Sequence, residues 1–141
     1  MSVSAKKISF ILHSSDLSKT WNFWTAIGIS WHEGCDDPLG PWVTSEHDPL
    51  DDMGLPRATG QIGGVEFMFF RKPGERSGSW PENTLLSVYF DRHGATAEAL
   101  KLLKKAGLFM PTEDFDPDFK VGVCDPDGRR VYLADPHPFR L

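Results

Sequence analysis

Two side chains in the first half of the chain are placed to do chemistry. Glu66 lies in the apolar run Val65 to Arg71. A lone carboxylate in such a strand is expensive to bury and needs a cation, a proton or a ligand. His13 ends the run Lys7 to Leu12, and an imidazole with an ordinary pKa near 6.5 suits proton transfer or hydrogen bonding to a ligand. Glu66 could act as a general base, or as a structural carboxylate paired with an arginine or with His13 itself. His13 could equally be a strand-end histidine bonded to the loop that follows. Under a period of two, Met68 and Phe70 share the face of Glu66 and supply a soft apolar wall.

The elements that must hold these groups repeat. Lys7 to Leu12 reads as a strand, with Ser9, Ile11 and His13 on one face and Ile8, Phe10 and Leu12 on the other. Ser14-Ser15-Asp16 is a helix start, and a helix from about Leu17 to Ile27 stops at Gly28. Ile29 to Glu33 reads as a short strand, with His32 opposite in parity to Trp31. Ala58 to Ile62 and Val65 to Arg71 read as a hairpin turning on Gly63-Gly64. Thr84 to Phe90 opens the same order again. A helix over Ala95 to Ala106 follows, with Ala99, Leu102, Leu103 and Ala106 inward and Gly107 as its stop. Short strands over Phe109 to Asp114 and Phe119 to Cys124 come next, then the turn Asp125-Pro126-Asp127-Gly128 and a last strand from Arg130 to Ala134.

The fold class is therefore α+β. Two β-α-β-β-β modules, residues 7–72 and 83–135, make up one domain spanning 1–141. Segment 72–83 links them. Residues 34–57, rich in proline, glycine and acidic side chains, form a long excursion that could carry Trp42 over a pocket or be a plain surface insertion.

Composition closes several routes. The net charge is -5 and basic residues occur at most in pairs, so no dense basic field for nucleic acid is visible. The apolar stretch around Ile8–Leu12 is too short for a signal peptide or a membrane span. Cys35 and Cys124 fall in different modules with no CxxC pair and read as reduced thiols. A cytoplasmic location is expected. His47, beside Glu46 and Asp48, is a weak cation candidate, while His93 and His137 have no constellation around them.

Two segments resemble the vicinal oxygen chelate superfamily, which includes glyoxalase I, extradiol dioxygenases and fosfomycin- and bleomycin-resistance proteins. One is Phe10 to Leu17 followed by Thr20, Phe23-Trp24 and Gly28. The other is Asp125-Pro126-Asp127-Gly128 followed by Arg129 to Leu133. The resemblance implies a curved mixed sheet around a cleft in which a divalent metal, when present, takes one ligand from each of four strands. Carried over by position, those ligands fall on Ser9, Glu66, Thr84 (or Asn83) and Tyr132. Glu66 alone has the chemistry of a family ligand, so no metal and no other cofactor is expected.

The resemblance then points to metal-independent binding of a small aromatic or planar organic ligand, as in the bleomycin-resistance branch. The ligand would touch Ser9, His13, Trp42, Glu66, Met68, Phe70, Thr84 and Tyr132. The alternatives are a lyase, isomerase or dioxygenase using Glu66 and His13, with or without a divalent metal, and a dimeric structural or regulatory protein. A homodimer is expected on the same ground.

Overall fold

The computed structural model describes residues 3–32, 57–70, 86–112 and 121–136. Trp42, Thr84, Cys35, His47, the linker 72–83 and nearly all of the 34–57 excursion lie outside the described residues.

The first half contains β1 (Ile8–His13), α1 (Leu17–Ala26), β2 (Ser30–Trp31), β3 (Arg57–Ile62) and β4 (Val65–Phe70). The second contains β5 (Leu86–Tyr89), α2 (Ala95–Lys105), β6 (Val121–Cys124) and β7 (Arg130–Ala134). They form two mixed sheets, ordered β1-β4-β3-β2 and β5-β7-β6. In each, the opening strand runs parallel to the closing strand, with Ser9 opposite Glu66 and Ser87 opposite Tyr132. The duplication extends to single hydrogen bonds. The Ser14 amide, just after β1, donates to the Phe70 carbonyl at 2.8 Å, and the Phe90 amide, just after β5, donates to the Ala134 carbonyl at 2.9 Å.

Alternation places α1 on one face of the first sheet. Trp21, Phe23 and Trp24 are buried, and the Trp24 ring lies 5.2 Å from the rings of both Phe67 and Phe69. Burying each such side chain contributes on the order of 1.5–3 kcal/mol. Asp16 caps α1 by accepting from the Lys19 amide at 3.2 Å. Asp135, just beyond β7, caps α2 from a distance by accepting from the Gly94 and Thr96 amides, both at 2.8 Å.

Three elements depart from expectation. The Ile29 amide donates to the Trp24 carbonyl at 3.0 Å and so closes the helix, which leaves β2 shorter than Ile29 to Glu33. Over Phe109 to Asp114 the described residues make a single antiparallel bridge, Pro111 to Val123, in place of a strand. Proline has no amide to extend a ladder. On α2, Ala99 and Leu103 are buried, but Leu102 is 48% exposed and Ala106 is exposed. The inward stripe of this helix is one residue wide per turn.

The halves share one apolar core and are joined by a polar clasp. Asp125 Oδ1 accepts from the amides of Asp127 (3.0 Å) and Arg129 (2.8 Å), and Asp125 Oδ2 accepts from Arg129 Nη1 at 3.0 Å. From this turn, Asp127 Oδ1 accepts from the Ser15 amide at 3.0 Å, and Arg129 Nη2 donates to the His13 carbonyl. All three side chains are buried. Burial pushes the Asp125 carboxyl above the ordinary aspartate range, further than Arg129 pulls it down.

Candidate functional site

The face of the first sheet turned away from α1 carries the groups singled out in the sequence. Strand register sorts them into rows. Ser9, Glu66, Gln61 and Ser30 are neighbours across all four strands. The next row holds Ile11, Met68 and Thr59, and the His32 amide donates to the Thr59 carbonyl at 2.9 Å, which sets His32 at its end. His13 lies opposite Phe70 in the row after that. A polar row thus borders a mostly apolar one.

Glu66 is the chemical centre of this face. Its side chain is only 13% exposed. The Ser9 hydroxyl donates to Oε1 at 2.7 Å. Oε2 faces Lys7 Nζ at 3.4 Å and His32 Nε2 at 3.9 Å. The bond from Ser9 holds the carboxyl below the ordinary glutamate range against partial burial, helped by the charges of Lys7 and His32. Glu66 is therefore an anion at neutral pH, a good acceptor and a weak base.

The imidazole beside Glu66 is His32 rather than His13. His13 stands four residues along β1 from Ser9, roughly 13 Å at the usual strand rise. Its ring packs edge-on to Phe70, with centroids 6.1 Å apart. Alternation along the second strand sets His32 opposite in parity to Trp31, as expected. It did not reveal that β2 pairs with β3 and so brings His32 next to Glu66 across the sheet. Lys7, the second partner of Glu66, carried no signal of its own.

Tyr132 lies on the second sheet. It is 8% exposed and flanked by Ser87 and Gly122. Thr112 covers Gly122 so closely that a Cβ there would lie 2.1 Å from Thr112 Oγ1 and 3.1 Å from Tyr132 Cε1. The chain's own side chains fill this part of the second sheet. A separate apolar hollow of about 140 Å³ is lined by Phe10, Val65 and Phe67 against Leu86 to Tyr89. Its β1 and β4 residues have the parity opposite to Glu66, so it is not part of the same face.

No family model matches the chain, and no curated protein matches it. Solved structures do. Trypanothione-dependent glyoxalase I of Leishmania major aligns over 94% of this chain and 87% of its own, with a TM-score of 0.62 at 15% identity. The fosfomycin resistance protein FosX of Mesorhizobium loti aligns over 98% and 95%, at 0.59 and 13% identity. A hypothetical protein from S. aureus aligns over 95% and 96%, at 0.59 and 18% identity. The chain has the vicinal oxygen chelate fold.

Metals bound by proteins of the vicinal oxygen chelate fold need several convergent donors. Among the described residues no three His, Cys, Asp or Glu side chains gather to hold an ion. Glu66 has Ser9 beside it, and the ammonium of Lys7 sits at its outer oxygen. The donor set among the described residues does not fit a metal. No helix among them is long and apolar enough to cross a membrane.

Proposed function

We propose that this chain binds a small organic ligand, aromatic or planar, on the Glu66 face of its first sheet, without a metal. The observation that carries the reading is an ionised, partly buried carboxylate bordered by Ile11 and Met68, with Phe70 one row further along the same face. A face with one strong polar anchor beside an apolar wall matches the general make-up of small-ligand sites. Ser9 and His13 flank the proposed ligand, and Trp42, Thr84 and Tyr132 are proposed as further contacts. A cytoplasmic homodimer that shelters the exposed Ile8 and Tyr89 side chains, away from the ligand face, fits the same reading.

A panel of planar aromatic and heteroaromatic fragments, screened against isotopically labelled protein, tests the proposal. Hits should move the backbone signals of Ser9, Glu66, Met68 and Phe70, persist in a chelator, and disappear in Met68→Asp. Hits that need an added divalent metal, or that leave those four signals unmoved, would defeat it.

His32, 3.9 Å from Glu66, favours a second reading. An imidazole beside a carboxylate is a proton-transfer pair, and two of the similar structures are named as a glyoxalase and a fosfomycin resistance protein. On that reading the chain is a lyase or isomerase. Incubation of each hit with the protein separates the two: a ligand recovered unchanged supports binding alone, and one converted in a His32-dependent way supports the enzyme.

A further inference from the structure

We infer that the ligand of the Glu66 face is an organic ammonium compound, with its charged nitrogen at Glu66 Oε2 and its apolar body over Ile11, Met68 and Phe70. This rests on the small-ligand reading above and adds the charge and orientation of the ligand.

The two oxygens of Glu66 are held differently. Oε1 is satisfied within the sheet by the Ser9 hydroxyl at 2.7 Å. Oε2 is held from outside, by Lys7 at 3.4 Å and His32 at 3.9 Å, side chains that are 60% and 43% exposed. Lys7 precedes β1 and belongs to no strand. An ion pair with so exposed a partner contributes little, because ordering the long side chain offsets most of the attraction. The Lys7 ammonium is a replaceable occupant of the place a ligand nitrogen would take.

The sign of the ligand's charge follows from what each exchange leaves behind. A ligand ammonium substitutes for Lys7 like for like, and Glu66 keeps a cation throughout. A ligand carboxylate at Oε2 would set two anions against each other, and one that drew Lys7 toward itself would take from Glu66 its nearest cation. Gln61 and Ser30 continue the row of Glu66 across the sheet and offer acceptors for the remaining N–H bonds. The neighbouring row offers Ile11 and the adaptable Met68 to an apolar body.

Tryptamine, 3-ethylindole and indole-3-propionate share one ring system and differ in tail charge, so calorimetric titration of the three tests the inference. Tryptamine should bind about tenfold more tightly than either of the others, the gain expected of one charge-assisted hydrogen bond. Glu66→Gln should bring the three together, and Lys7→Ala should tighten tryptamine by removing its competitor. A carboxylate tail that binds as well as the ammonium, or an unchanged order in Glu66→Gln, overturns the inference and leaves ligand binding on this face intact. Failure of all three to bind also overturns it, and the fragment panel then decides separately whether the face binds anything. Retention of the wild-type amide spectrum in Glu66→Gln shows that folding is not the cause, and Lys7→Ala lies outside the strands.

Discussion

Ser9 and Glu66 are opposite one another in the parallel pairing of β1 with β4, and the hydroxyl of the first donates to the carboxylate of the second at 2.7 Å. Strand register alone brings them together, although 57 positions separate them in the chain. The same register sets a polar row next to an apolar one.

Ser9→Ala should let the Glu66 carboxyl rise toward its ordinary value of 4.5 and cost about 0.5–1.5 kcal/mol of stability. The folded-state value in the wild type is lowered, so the contribution of this bond is full above the ordinary value and fades as pH falls through the lowered one. Urea unfolding of both proteins should show a gap at neutral pH that closes in acid. A gap that is constant with pH would mean that the hydroxyl does not act through Glu66.

Arg129→Met should destabilise by about 3–5 kcal/mol, because it strands Asp125 and Asp127 without their buried cation. The pH dependence has the same sign, because here too the substitution raises a folded-state carboxyl. The Asp125 carboxyl is already raised above 3.8 by burial, and loss of Arg129 raises it further. A raised carboxyl favours the folded state only while protonated, so the deficit should widen as pH climbs through and above the ordinary aspartate range. Denaturation midpoints at acid and neutral pH check the direction.

Gly122→Ala should cost about 1–3 kcal/mol by overpacking, since the new methyl group meets Thr112 Oγ1. Adding Thr112→Ala should recover much of the loss. The remainder reflects the Tyr132 ring, 3.1 Å from the added carbon. Gly60→Ala makes a useful contrast, because there the methyl group lies 2.8 Å from the Ser30 carbonyl oxygen. Trimming a side chain cannot relieve contact with backbone. Melting temperatures of the three single variants and the Gly122→Ala, Thr112→Ala pair make the comparison.

Local signals in the sequence reached as far as local structure does. Alternation along Ile8–His13 and Val65–Phe70 identified both faces of the strands that matter, because a period of two needs no knowledge of partners. Glycine stops at Gly28 and Gly107, with φ of 102° and 72°, ended both helices as expected. Which residues meet across strands depends on pairing and register, and those are tertiary. Glu66 was therefore legible as a carboxylate needing a partner, while the partners themselves, Ser9 by hydrogen bond and His32 across two strands, were not. Leu102 was assigned inward by spacing and is half exposed, because α2 buries a narrower stripe than its apolar residues would fill.

The clasp from the Asp125–Arg129 turn grips main-chain atoms of the first half, the carbonyl of His13 and the amide of Ser15. Those two bonds do not depend on the side chain at either position, apart from proline at 15, which would remove the amide. Substitution at the end of β1, His13 included, leaves both of these bonds available, so a lineage carrying this turn can vary that position without renegotiating this part of its architecture.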